Sequence, residues 1–456
     1  MRKPNVILIN CDDLGYGDLG CYGSTRNQTP AIDSLADAGI RFTDFYMASP
    51  VCSPSRGAML TGCYPPRINF DTFGEEQRWV LFPGMAEGLS PDEYTIANLF
   101  KDCGYKTKMV GKWHCGDQKE FSPVNYGFDS YYGLPYSNDM GRQVNRHEFP
   151  PLPLMRNAEV IQEQPDQTSL TERYTEEAVS FIRDAYENDE QYFLYFAHMY
   201  VHQPIYVPDS FLRRSRNGRY GAAVECIDWS LSVILKELKE RNVLDDTLII
   251  FTSDNGSRTS GEGGSNGILR GIKGQSWEGG MRVPFIASWP AVIEKGLESD
   301  KLVSSIDLLP TFAALLDQPL PSERKIDGID QSNLLLNPDS ESNRKTFFYY
   351  KMDRLEAVRF NEWKLHISKD MESERSLYDL SKDPGETHNV YDDFPKIAEK
   401  LHILAELCIE ELGDAYTGVR GNARRPCGTV DTAEPLTFYD SDHPYIIAEY
   451  DLEGWG

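Results

Sequence analysis

Two segments of the chain are continuous apolar runs, Val6-Ile7-Leu8-Ile9 and Leu248 to Phe251. Lys106 to Val110 and Tyr192 to Phe196 also read as strands. A strand that stays apolar at successive positions is buried on both faces, because successive side chains point to opposite sides of a sheet. Between these segments the spacing of apolar residues becomes helical, over Pro30 to Ala38, Thr95 to Asp102, Thr171 to Tyr186 and Tyr220 to Arg241. Strands alternating with helices predict an α/β fold with a largely parallel sheet. Such sheets bind ligands at the carboxyl ends of their strands.

The pattern changes near residues 336–345, where Asn337-Pro338-Asp339-Ser340 is polar and rich in turn formers. This predicts a large N-terminal domain, residues 1–340, and a smaller α+β domain, residues 341–456. In the second, Thr346 to Lys351 and Ala357 to Ile367 suggest antiparallel strands, and Pro395 to Leu412 suggests one amphipathic helix. The tail from Ala415 has little periodicity and many Gly, Pro and Tyr residues, so irregular structure laid over the surface is expected. Phe149 to Pro153 reads as a loop.

Composition restricts the partners. The 456 residues include 46 Lys plus Arg and 71 Asp plus Glu, a formal charge of −25. Electrostatic capture of nucleic acid needs a basic face and is excluded. An anionic substrate would meet an opposing field, so its site would need a local cluster of cations. No apolar run is long enough to predict a membrane span. Met1 to Asn10 lacks the pattern of a signal peptide. The expectation is a cytoplasmic protein if the chain is native at full length, and a periplasmic or secreted one if an export signal was removed. Nine cysteines without a C-x-x-C pair predict neither a zinc site nor a disulfide framework.

The chemistry collects at strand ends. Asp12 and Asp13 follow the first apolar run, where a carboxylate pair either caps a turn or holds a hard cation. Asp254 and Asn255 repeat the pattern after the Leu248–Phe251 run, which favours the cation. Four oxygen ligands suit Ca²⁺ or Mg²⁺ better than Zn²⁺. Asn255-Gly256-Ser257 also matches a glycosylation sequon, which a metal-ligand Asn would not use. Cys52-Ser53-Pro54-Ser55-Arg56-Gly57, taken alone, is a loop cysteine followed by a helix start, with Pro54 at a favoured early position.

That C-x-P-S-R segment also resembles the signature of the type I, formylglycine-dependent sulfatases of the alkaline phosphatase superfamily. Other stretches resemble the same family in order: Asn5 to Gly20, Gly111-Lys112-Trp113-His114, His202-Gln203-Pro204, Gly271 to Arg282, and Leu377-Tyr378-Asp379-Leu380 with Asp383-Pro384 and Glu386. Tyr136-Ser137-Asn138-Asp139 is similar to a loop of the branch containing arylsulfatase A and N-acetylgalactosamine-6-sulfatase. Cys11 replaces the usual small residue before the Asp pair. The resemblance implies a large mixed, mostly parallel sheet sandwiched by helices, with a smaller C-terminal α+β domain. It implies hydrolysis of a sulfate monoester on a sugar, with aryl sulfates as surrogates.

The resemblance also implies roles. A maturation enzyme would oxidise Cys52 to formylglycine, whose hydrated form attacks sulfur with one hydroxyl and expels sulfate when the other loses its proton. Asp12, Asp13, Asp254, Asn255 and residue 52 would hold Ca²⁺ or Mg²⁺. Arg56 would hold the diol, Lys112 and Lys273 would contact sulfate, His114 would act as base and His202 as acid. Ser137 would add a hydrogen bond to sulfate. His198 is expected to be structural, the Tyr131-Tyr132 and Tyr349-Tyr350 pairs to be core or rim, Arg213, Arg214 and Arg216 to be a solvated helix end, and Glu278-Gly279-Gly280 to be a tight turn. Substrate choice is expected in loops such as 64–93 and 137–170 and in the C-terminal tail. Two rival functions share these residues: a phosphodiester or phosphonate monoester hydrolase, and a non-catalytic sulfated-glycan binder.

Overall fold

The structure, a computed structural model, describes residues 3–258, 260–447 and 450–452. Its centre is a ten-stranded sheet. Five neighbouring strands run parallel in the order Thr247–Ser253, Asn5–Cys11, Tyr192–Ala197, Lys106–Gly111 and Ser130–Gly133. Antiparallel strands extend both sides, Phe285–Ser288 next to Thr247–Ser253 and Pro153–Arg156 next to Ser130–Gly133.

The apolar runs explain themselves in this sheet. Within Asn5–Cys11, Val6 and Leu8 join one core with Phe100, Phe193 and Phe312, while Ile7 and Ile9 join another with Ile182, Phe196 and Ile227. Every residue from Val6 to Cys11 is buried. Helices Ile96–Asp102 and Leu308–Leu316 cover the first face, and Leu170–Glu187 and Gly218–Glu240 the second. Truncating Ile7 to Ala would cost about 2–5 kcal/mol, the usual range for a fully buried aliphatic side chain. The fold is therefore the large, mostly parallel sheet between helices that the sequence pattern predicts.

A separate four-stranded antiparallel sheet comprises Thr346–Lys351, Arg354–Phe360, Trp363–Lys369 and Glu372–Asp379. The single segment expected over Ala357 to Ile367 is thus two strands. They turn at Asn361 and Glu362, with Asn361 in the left-handed region at φ 51°. Helix Pro395–Leu412 packs its apolar stripe, Ala398, Leu401, Ala405 and Leu412, into a core shared with Tyr46, Ala58 and Met281 of the N-terminal part. The tail crosses back: Gly428–Thr429 pairs with Glu87–Gly88, and Tyr450 is buried with its hydroxyl donating to the Pro165 carbonyl. Among the described residues no helix is long and apolar enough to cross a membrane, and all nine cysteines are free.

Candidate active site

The parallel strands deliver their next residues to one end of the sheet. Asp12 and Asp13 follow Asn5–Cys11, Asp254 and Asn255 follow Thr247–Ser253, Lys112 and His114 follow Lys106–Gly111, and His202 lies shortly after Tyr192–Ala197. Gly111 makes the close packing there possible. Its φ is 110°, and a Cβ at that position would come within 1.7 Å of the Ala197 carbonyl oxygen. Asp13 and His114, at φ 59° and 58°, hold left-handed backbone conformations that are uncommon for residues with a Cβ. Such strain collects at functional sites because the surroundings over-determine it.

Helix Cys52–Thr61 enters this end of the sheet with all ten residues buried. Val51 is extended, Cys52 opens the helix and Pro54 lies in its first turn, where a missing N–H is tolerated. Gly57 allows Phe70 to close on the helix, since a Cβ would meet its ring at 2.6 Å. One turn after Cys52, Arg56 is fully buried and spends its donors on three partners. Its Nε lies 2.9 Å from Asp254 Oδ2, one Nη lies 3.1 Å from Asp12 Oδ2, and the other lies 2.8 Å from the Lys112 carbonyl oxygen.

The remaining cations lean on the same carboxylates. Lys112 Nζ is 2.5 Å from Asp12 Oδ2, and Lys273 Nζ is 3.0 Å from Asp13 Oδ2. Burial alone would raise the Asp12 pKa, but Lys112 and Arg56 outweigh it and hold the carboxyl far below its ordinary range. Burial and the Asp12 charge push Asp254 up to about 6. Burial and the same charge push the Cys52 thiol far above its ordinary value, so a thiolate nucleophile is disfavoured there.

Asp12, Asp13, Cys52 and His202 each bring a ligand atom within 4.8 Å of the others. Asn255 adjoins them, donating to Asp13 Oδ1 at 2.7 Å, while its own Oδ1 is buried without a hydrogen-bond partner. A buried amide oxygen with nothing to accept, set among carboxylates, fits a hard cation. Asp254 adjoins them too, through Arg56 and by accepting from the Asp13 N–H at 3.3 Å. The donor set differs from the expected one in placing His202 within it, with Nε2 4.0 Å from Asp13 Oδ2.

A cavity of about 370 Å³ opens over Cys52, His114, Ser137, His202 and Lys273. His114 Nε2 is 3.0 Å from the Leu81 carbonyl oxygen and must carry the proton, which leaves the buried, unpartnered Nδ1 with a lone pair. His202 Nδ1 faces the Gln203 carbonyl oxygen at 2.6 Å, so its proton is there and Nε2 is free. Burial and the neighbouring lysines lower both rings, His202 to about 3. The Ser137 hydroxyl is buried without a partner. Trp79, Val80, Phe82, Met140 and Arg258 also line it, with Val51, Asp139 and Ile272. The first four lie in the two loops expected to choose substrate. Arg258 carries no motif, and only the topology places it here.

Other expectations resolve by burial. His198 is buried with its ring 4.2 Å from that of Phe196. Tyr131, Tyr132, Tyr349 and Tyr350 are core residues, and Arg213, Arg214 and Arg216 are exposed. Glu278 departs from the expected tight turn. It begins a short helix, Glu278–Met281, and is fully buried, 2.9 Å from Lys364 Nζ and 3.0 Å from the Tyr349 hydroxyl.

Residues 4–318 match the sulfatase family model, and residues 273–410 match the C-terminal model of N-sulphoglucosamine sulphohydrolase. The chain belongs to the sulfatase family and is a sulfuric ester hydrolase. Arylsulfatase A of Homo sapiens is 38% identical over 431 residues, covering 85% of this chain and 83% of its own length. N-acetylgalactosamine-6-sulfatase of Canis lupus familiaris is 39% identical over 379 residues, covering 80% of this chain and 72% of its own. The crystal structure of Ps i-CgsB in complex with k-i-k-neocarrahexaose aligns with a TM-score of 0.79 at 28% identity, over 89% of this chain and 92% of that one.

Proposed function

We propose that the protein hydrolyses a sulfate monoester on a sugar, using formylglycine made from Cys52 and a divalent cation, Ca²⁺ or Mg²⁺. The carrying observation is the convergence of Arg56, Lys112 and Lys273 with two histidines around Cys52, in a chain whose net charge is −25. Asp12, Asp13, Asp254, Asn255 and residue 52 would hold the cation, which supplies Lewis-acid stabilisation of sulfate oxygen charge when bound. Oxidation of Cys52 by a maturation enzyme supplies an oxygen nucleophile that can later be released.

The chain's own residues do the rest. Lys112 and Lys273 stabilise negative charge as it spreads over the sulfate and the departing oxygen. Arg56 fixes residue 52 against Asp12 and Asp254. His114 accepts a proton from position 52 at Nδ1, and its Nε2–H, held by Leu81, fixes that tautomer. An incoming sulfate opposes the lysine charges and raises the proton affinity of His202, whose bare Nε2 then takes up a proton from water and passes it to the leaving oxygen. Ser137 donates to a sulfate oxygen. Residues 1–340 carry this machinery, and 341–456 support it.

The sugar substrate is supported by the relatives. One is named for N-acetylgalactosamine-6-sulfate chemistry, and the aligned crystal structure contains a neocarrahexaose. The test is to express the chain with a formylglycine-generating enzyme and compare turnover of an aryl sulfate with that of an aryl phosphodiester. Preference for the sulfate is expected. Preference for the phosphodiester would establish the rival hydrolase. No turnover of either by material with proven formylglycine at position 52 would establish a binding protein.

A further inference from the structure

A second cavity, of about 460 Å³, opens beside the first. Its lining includes Arg26, Arg216, Arg219, Gln203 and Glu262. All three arginines are exposed, and none forms an ion pair among the described residues. The cavity thus gathers three guanidinium groups without a carboxylate partner, in a chain with 71 Asp plus Glu against 46 Lys plus Arg. Among the described residues Glu262 is the one acidic side chain in the lining, and Arg258 already engages it at 3.5 Å. Asp18, which feels the Arg26 charge, is buried and accepts from the Tyr220 hydroxyl and the Gly15 N–H.

The two cavities share no lining residue, but two links join them. Gln203 lines the second and His202 the first. Arg258 lines the first and pairs with Glu262 of the second. A molecule whose sulfate ester lies over Cys52 can therefore extend across Gln203 and the Arg258–Glu262 pair toward the three arginines.

We propose that this second cavity is a sulfate subsite, taking a sulfate group on another sugar of the same substrate while the first sulfate is cleaved. The inference rests on the sulfated-sugar reading above. Guanidinium suits the task because its planar fork gives two parallel hydrogen bonds to one oxyanion. Unpaired arginines need lose no existing partner to do so. The net charge opposes any polyanion at long range, so a multiply sulfated chain needs such a local counterweight. The substrate class that follows is an oligosaccharide sulfated on more than one residue.

The test is calorimetric titration of the full chain with sucrose octasulfate, a compact polysulfated probe, and with inorganic sulfate. The variant is Arg216→Ala with Arg219→Ala, two exposed side chains outside the catalytic machinery, and Arg26→Ala serves as an independent second variant. Octasulfate binding is expected to weaken about tenfold in the double variant, as for the loss of two exposed charge-assisted contacts. Inorganic sulfate binding and aryl sulfate kcat and KM should not change. Equal octasulfate affinity in wild type and both variants, or no octasulfate binding by wild type, would overturn the subsite. Absence of aryl sulfate turnover by the matured wild type would overturn the function reading instead, and the calorimetric comparison would still be readable.

Discussion

Arg56 brings two guanidinium nitrogens to a single oxygen of Asp254, at 2.9 and 2.7 Å, and both side chains are completely buried. The pair cannot be judged as a stabilising ornament. Burying two ions costs several kcal/mol each in desolvation, and the attraction recovers this only when the geometry is complete. Here Arg56 also meets Asp12, so removing it strands Asp254 and leaves Asp12 to Lys112 alone. Arg56→Ala is therefore expected to lose about 3–5 kcal/mol of unfolding free energy, read by urea denaturation. Arg56→Lys keeps the charge but not the fork, and should recover only part of that loss. An Arg56→Ala protein as stable as wild type would show that the carboxylates are neutral in the folded state.

A second buried hub reaches the site from the C-terminal sheet. Lys364 Nζ lies 2.9 Å from Glu278 Oε1, 2.9 Å from Glu386 Oε1 and 2.9 Å from the Ser276 carbonyl oxygen. Ser276 and Glu278 belong to the same segment as Lys273. Lys364→Met would leave Glu278 and Glu386 facing each other without their shared cation. The expected loss is again about 3–5 kcal/mol, from uncompensated buried charge. Turnover should fall with it, because the Lys273 backbone loses an anchor. Unchanged unfolding free energy in Lys364→Met would refute the hub.

Much of this was legible in the sequence, for physical reasons that differ by element. Val6 to Ile9 could be read as a strand because burial on both faces forces a continuous apolar run. Helix Ile96–Asp102 starts where Thr95 accepts from the Asn98 N–H, a cap written into four residues. Asp12 and Asp254 were legible as site residues because parallel strands end together, and Cys52 and Lys112 because they sit in motifs that resemble the family's. The turn at Asn361 was not, since one left-handed residue splits Ala357 to Ile367 without interrupting its polarity pattern. Glu278 was misread because its partners Lys364 and Tyr349 are more than 70 residues away in sequence. Long-range pairing leaves no local spacing to read. Arg258 was missed on other grounds: its pair with Glu262 is local, four residues on, and only the path of the chain brings it to the cavity.

The C-terminal hub also carries a pH dependence. His366 is buried with Nε2 2.7 Å from Glu386 Oε1, and its Nδ1 has no hydrogen-bond partner. Burial, then Lys364 and Lys369, push its pKa well below the ordinary histidine value, while Glu278 opposes them. The unfolded chain therefore binds a proton below pH about 6.5 that the folded chain refuses. The stability contribution of neutral His366 is complete above that pH and is lost as pH falls. Wild type should lose up to about 1.4 kcal/mol more per pH unit than His366→Gln between pH 6 and pH 5, measured by urea unfolding. Parallel stability profiles for the two proteins would place His366 as charged in the fold.

The cation site makes the sharpest separation between neighbouring polar groups. Asn255 Oδ1 and Ser137 Oγ are both buried and both lack a partner, yet they should serve different ligands. Asn255 is bonded to Asp13 and sits among the carboxylates, whereas Ser137 lines the cavity beyond them. Calcium that binds only the folded chain stabilises it by mass action, about 2.7 kcal/mol at one hundred times Kd. Chelated wild type should therefore gain thermal stability on adding Ca²⁺. Asn255→Ala should need at least about tenfold more Ca²⁺ for the same gain, having lost a ligand oxygen. Ser137→Ala should respond to Ca²⁺ as wild type does and instead raise KM for an aryl sulfate. If Asn255→Ala and wild type give the same Ca²⁺ titration, the Asn255 oxygen is not a ligand, and the cation is held by Asp12, Asp13, Asp254 and residue 52 without it.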